Sequence, residues 1–211
     1  MAAFVAVLLI SNIASAKIAI VWIFVFDAGT LLFPFSYIFN DIFTEVYGYR
    51  LSRKVIWAGF AAMLFASLYF FLVGLLPPAL GWENQAAYDK ILGIVPRIVL
   101  ASIIAYFAGE FTNSFILAKM KLWTKGKFLW MRTIGSTIAG ELVDTVLFVS
   151  IAFFGEIPSE LFIALIVSNY VFKVGLEVIL TPVTYKVVGF LKREEGMDVF
   201  DYKTDFSPFK F

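Results

Sequence analysis

The sequence predicts an all-α integral membrane protein with six transmembrane helices in one bundle. Three observations carry this. Hydrophobic residues make up 61% of the 211-residue chain and charged residues only 16%, with a mean hydropathy of +0.89. Soluble domains carry about 25% charged residues. Apolar stretches recur near the roughly 20 residues a helix needs to cross a bilayer. Finally, Lys and Arg segregate strongly between alternate connections.

The predicted spans are 3–26, 30–48, 55–76, 95–118, 129–154 and 159–190. The last is longer than a straight crossing, so it should tilt or bend at Pro182. The connection 49–54 holds Arg50, Arg53 and Lys54, and 119–128 holds Lys119, Lys121, Lys125 and Lys127. The tail adds Lys186, Lys192, Arg193, Lys203 and Lys210, which makes twelve basic residues on one side. Only Lys90 and Arg97 fall on the other. By the positive-inside rule both termini are cytoplasmic, N-in and C-in, in the plasma (inner) membrane. The chain then divides into a transmembrane domain, 1–190, and a cytoplasmic tail, 191–211. The loop 77–94 opens on Pro77-Pro78 and carries Trp82 and Tyr88, which suit an interfacial cap or lid.

Composition excludes several classes. The chain has no cysteine and no histidine, so disulfides, Cys/His metal sites, thiol nucleophiles and histidine proton relays are out. No cofactor and no metal are expected. A net charge of +1 gives no reason to expect a nucleic-acid partner. The first span has Lys17 in its middle and no small-residue cleavage site, so it does not read as a signal peptide.

Charged and polar residues recur inside the spans, where a carboxylate costs about 2.5–3.5 kcal/mol on insertion scales. Asp41 and Glu45 are four apart, so a helix puts both on one face, with Tyr37 one turn earlier. Helix one carries Asn12 and Lys17. Helix four carries Glu110 and Asn113. Helix five carries Glu141 and Asp144, with Arg132 near its inner end, where it can snorkel to headgroups. Helix six carries Lys173 and Glu177. Counted inward from each helix's outer end, these charges fall in one layer near the midplane. Six carboxylates face Lys17 and Lys173, so the layer stays acid-rich after pairing. At least one of the two lysines should bond an acidic residue on another helix. Helix three, with Gly59 and Gly74 but no buried charge, reads as scaffold.

Several stretches resemble one known family: FPFSYIFNDIFTEVYG (33–48), GEFTNSFILAKMK (109–121), RTIGSTIAGELVDTVLFVSIAFFG (132–155), the Lys173, Glu177, Pro182 pattern and DVFDYKTDFSPF (198–209). In order and over most of the chain, they resemble the queuosine precursor transporter family, also called the vitamin uptake transporter family. The resemblance implies a six-helix importer of 7-deazaguanine precursors of a tRNA base, 7-cyano-7-deazaguanine and/or 7-aminomethyl-7-deazaguanine. The layer's chemistry agrees. A carboxylate such as Asp41 accepts the paired N–H donors of a deazaguanine edge, aromatic faces such as Tyr37 stack on the ring, and Asn12 or Asn113 meets the other edge.

The expected partners are thus a small-molecule deazaguanine and the lipid bilayer, and no nucleic acid. Proton coupling and facilitated diffusion both remain open, as does a homo-oligomer. A second reading is the substrate-capturing subunit of an energy-coupling-factor transporter. That reading needs an ATPase module, and helix one lacks a clean Ala-x-x-x-Ala docking motif. A third, an intramembrane enzyme, lacks His, Cys and a GxGD motif.

Overall fold

The computed structural model describes residues 1–22, 24–92, 95–155 and 159–209. It is mostly helical. Helices α1 (Ala2–Ala14), α2 (Pro34–Tyr47), α3 (Tyr49–Gly74), α4 (Gln85–Leu92), α5 (Val95–Trp123), α6 (Leu129–Phe153) and α7 (Ser159–Glu195) follow in order. Between α1 and α2 lies an antiparallel hairpin, β1 (Ile18–Val21) and β2 (Phe24–Asp27). Among the described residues, four helical stretches are long and apolar enough to cross a membrane: Tyr49–Gly74, Gln85–Trp123, Leu129–Phe153 and Phe162–Glu195.

The hairpin corrects both the all-α expectation and the 3–26 span. Helix α1 stops at Ala14, and the chain turns through Ser15, Ala16 and Lys17. The following run, IAIVW and FVF, is rich in β-branched and aromatic residues and reads as strand. Its register pairs Ile18 with Asp27 and Val21 with Phe24. Trp22 takes a left-handed φ of 57°, the conformation that primed two-residue hairpin turns require. Asp27 then caps a turn of 3₁₀ helix, Ala28–Leu31. Its carboxylate accepts from Thr30 N (3.2 Å), Thr30 Oγ1 (2.7 Å) and Ser15 Oγ (2.6 Å).

Helix α2 starts with Pro34 in its first turn and has 14 residues, too few to cross alone. Gly48, at φ 81°, is the only residue between α2 and α3. Arg50, Arg53 and Lys54 therefore lie in the first turns of α3, not in a loop. The outer loop likewise contains α4, which lies against the end of α3 through Tyr88 Oη, donating to Phe70 O at 3.2 Å. Helix α7 has 37 residues and continues through Pro182 past the expected domain boundary at 190. Lys210, counted with the basic tail, lies outside the described residues.

Two apolar clusters flank α2. One gathers Phe4, Leu8, Ile56, Phe60, Met63 and Tyr106 from α1, α3 and α5. The other gathers Ile38, Ile42, Val46, Leu129 and Val188 from α2, α6 and α7. The far end of α3 exposes Leu64, Phe65, Leu68, Phe71 and Leu72, an apolar face suited to lipid. Helices α5 and α6 approach most tightly at Gly109 and Gly140. A Cβ on Gly109 would meet Asp144 Cβ at 2.7 Å, and one on Gly140 would meet Asn113 Cβ at 2.8 Å. Small residues let backbones meet this way inside a membrane.

Candidate functional site

The polar layer assembles around that crossing. Helix α2 contributes Tyr37 and Asp41, α5 contributes Tyr106, Glu110 and Asn113, α6 contributes Thr137, Glu141 and Asp144, and α7 contributes Lys173 and Glu177. All are buried. Spacings of three and four put each set on one helical face. These faces converge because α2 is packed between the two apolar clusters and presents its polar stripe to α5, α6 and α7.

Within the layer, Asn113 Nδ2 donates to Asp41 Oδ1 at 2.6 Å. Lys173 Nζ pairs with Asp144 Oδ2 at 2.7 Å and Glu141 Oε2 at 3.0 Å, so it reaches across to α6 rather than along α7 to Glu177. It also lies 4.3 Å from the centroid of the Phe33 ring. Several other polar atoms of the layer have no hydrogen-bond partner among the described residues: Tyr37 Oη, Asp41 Oδ2, Tyr106 Oη, both oxygens of Glu110 and Glu177, Asn113 Oδ1, Thr137 Oγ1 and Glu141 Oε1. Buried polar atoms are almost always paired, because an unmet group retains its full desolvation cost. Such a cluster of unmet polar atoms among apolar helices makes this layer the candidate binding site.

Four sequence expectations are redirected. Lys17 is exposed at the bend before β1 and stands outside the layer, because α1 ends three residues earlier. Asn12 is only part-buried and donates to Leu8 O of its own helix at 2.9 Å. Glu45 faces cations: Arg132 NH2 at 2.7 Å, Lys192 Nζ at 2.7 Å and Lys121 Nζ at 3.7 Å. Arg132 does not snorkel. It is 1% exposed and binds Glu45, Thr124 Oγ1 and Lys127 O.

A small cavity of about 30 Å³ opens beside the layer, lined by Ser11, Asn12, Ser15, Asp27, Thr30, Asn169, Asp144 and Lys173 among others. It has room for a water molecule or two. Asp27 at the end of β2 and the 3₁₀ turn form part of its wall, and the hairpin is held to α7 by the Phe26–Phe172 ring stack at 5.5 Å.

Sequence reasoning missed Asp27, Lys121, Lys192 and Asp198. Lys121 was legible in principle, since it lies three full turns beyond Glu110 on the same face. Asp27 carried no helical spacing signal because it ends a strand. The tail packs against the helix ends. Asp198 Oδ1 pairs with Lys121 (2.7 Å) and Lys192 (2.9 Å), and Asp201 Oδ2 accepts from Tyr49 N (3.0 Å) at the start of α3. Trp57 Nε1 donates to Pro208 O at 2.9 Å, and Arg53 donates to Ser207 O. Burial raises the Asp198 carboxyl, but its bonds to Lys121 and Lys192 outweigh that and hold it below the ordinary carboxylate range.

A buried polar layer inside apolar helices defines a membrane protein that handles a small solute. The family described as "Putative vitamin uptake transporter" matches residues 27–187, and the chain belongs to it. It is 28% identical to "Probable queuosine precursor transporter" of Bacillus subtilis over 79% of this chain and 73% of that protein. It is 26% identical to "Queuosine precursor transporter" of Escherichia coli, over 76% and 71% respectively. It is 29% identical to the "Probable queuosine precursor transporter" of Haemophilus influenzae, over 76% and 67%. No solved structure matches it.

Proposed function

We propose that this chain imports queuosine precursors, 7-cyano-7-deazaguanine and/or 7-aminomethyl-7-deazaguanine, across the plasma membrane. The names of the three relatives support the cargo. The observation that carries the site is the set of buried, unpartnered acceptors between α2, α5, α6 and α7.

A deazaguanine presents two N–H donors along one edge. Asp41 Oδ2 and Asn113 Oδ1 are adjacent acceptors held in place by the Asn113–Asp41 bond, and they take that edge. Glu177 and Glu110 take the remaining ring N–H and, on the aminomethyl form, the ammonium group. The rings of Phe33 and Tyr37, 6.0 Å apart, supply apolar faces for the bicyclic system. Protons travel with the cargo through the same carboxylates, because a site with more acids than cations gains from neutralising one. The fold is a six-pass bundle, N-in and C-in. In it α1 with the hairpin makes the first crossing, α2 with the 3₁₀ turn makes the second, and 191–211 lies on the cytoplasmic face.

The test is uptake of labelled deazaguanines by liposomes holding only this protein, with and without a pH gradient. Accumulation that rises when the outside is more acidic is expected. Binding without transport until an ATPase is added would overturn import by the chain alone.

A further inference from the structure

The layer is not equally closed on its two sides. Toward the hairpin it adjoins the small cavity, which shares Asp144 and Lys173 with it. Toward the tail, one turn along α2 from Asp41, it is shut by Glu45 and the three cations that converge on it. Arg132 comes from α6, Lys121 from α5 and Lys192 from α7, and Glu45 from α2, so four helices meet at one carboxylate. The C-terminal segment closes this knot from outside. Asp198 binds Lys121 and Lys192 together, Lys121 Nζ donates to Val199 O at 2.7 Å, and Val199 N donates to Val46 O at 3.2 Å.

We propose that Glu45, Arg132, Lys121 and Lys192, with Asp198 of the C-terminal segment, form the inner gate of the transport path. The inference rests on the transporter reading. A gate needs an edge where water can enter, and the tail side of this knot has one: Asp198 is 46% exposed and Lys192 is 23% exposed, so water competes for that pair, while Glu45, Arg132 and Lys121 lie buried beneath it. The α5–α6 crossing is the opposite case. It has no slack at Gly109 and Gly140, and Tyr37 of α2 packs into the same contact, so α5, α6 and the Tyr37 end of α2 move as one body. The moving part is then the Glu45 end of α2, beside Gly48, the single-residue joint to α3. Opening parts Glu45 from Arg132 and Lys192 and frees the tail from Lys121. The three cations then face water, where their hydration replaces the lost pairs.

The chain has no native cysteine, so a single Thr137→Cys reports on this region. Thr137 is buried on α6 between Arg132 and Glu141. The protein is placed in liposomes in one orientation and labelled with a membrane-impermeant thiol reagent from each face. Adding Asp198→Asn or Lys192→Gln should speed labelling from the tail side by about tenfold, the effect of weakening one charge-assisted bond on a two-state equilibrium. Labelling from the hairpin side should not rise, and Asp198→Glu should restore the slow rate. Should either variant not yield monodisperse protein, raised ionic strength on the Thr137→Cys chain weakens the same half-exposed pairs and should speed tail-side labelling. A tail-side rate unchanged by all three treatments, or rates that rise equally from both sides, would overturn the gate. If no deazaguanine is transported, the transport reading falls while the labelling still reports on closure. If transport is measured and labelling does not respond, the gate alone falls.

Discussion

Asp41 and Lys173 show how one residue's partners decide its part. Asp41 has one oxygen occupied by Asn113 and one unpartnered. In Asp41→Asn the amide oxygen keeps the Asn113 bond and the amide nitrogen faces the cargo's own donors. Affinity should fall about ten- to hundred-fold, the value of one bond to a charged group, while the thermal midpoint stays near that of the parent chain. Binding measured on the monodisperse fraction checks this. Unchanged affinity would move the cargo's donor edge to Glu110 and Glu141. Lys173 is different, because Asp144 and Glu141 both depend on it. Removing one partner of a buried pair costs about 3–5 kcal/mol, so Lys173→Met should lower stability steeply in a thermal melt, whatever it does to transport.

Packing between elements separates glycines that the sequence presents as equals. Gly109→Ala or Gly140→Ala should each cost about 1–3 kcal/mol, because the added methyl has nowhere to go at the α5–α6 crossing. Gly175→Ala on α7 meets nothing within 4 Å and should gain up to about 1 kcal/mol of helix propensity. Melting midpoints of the three variants in one detergent test the contrast, and equal destabilisation would refute the crossing geometry. The docked tail gives a pH dependence. The Asp198 carboxyl is held low by Lys121 and Lys192. A group depressed in the folded state supports docking fully above its ordinary range, and that support is lost as pH falls through the folded-state value. Limited proteolysis should find the tail protected at neutral pH and cut more readily in acid, below the usual carboxylate range. Asp198→Asn should blunt that step.

For the whole molecule, the prediction is topology. With no native cysteine, single cysteines at Leu80 and Lys125 sit at exposed turns of opposite faces. In intact cells an impermeant reagent should label position 80 and spare position 125. Labelling of both from outside would break the six-pass arrangement and the assignment of the tail face as cytoplasmic. The helices also divide the labour among them. Helix α3 offers its far end to lipid, α5 and α6 form the tight central pair, and α2 carries the polar stripe between them and α7.

The sequence by itself determined the membrane character, the four long helices and most of the acid layer. Those follow from local quantities: apolar run length, and charges spaced three or four apart on faces that must avoid lipid. It also pointed to Lys173 as a cation for the layer, since few others lie deep in an apolar run. Tertiary structure alone decided what Asp41 and Glu45 each face, because adjacent turns of α2 meet different neighbours, Asn113 above and the three cations below. It decided that Lys17 stands aside, because β-branched and aromatic residues after Ala14 favour a hairpin over continued helix. It also turned the charged tail into a clamp, since Asp198 and Asp201 find Lys121, Lys192 and the Tyr49 amide only after four helices have brought those groups together. Lys192 is only six positions from Asp198, but no spacing along the chain encodes the contacts of Asp198 with Lys121 or of Asp201 with Tyr49, each more than seventy positions apart.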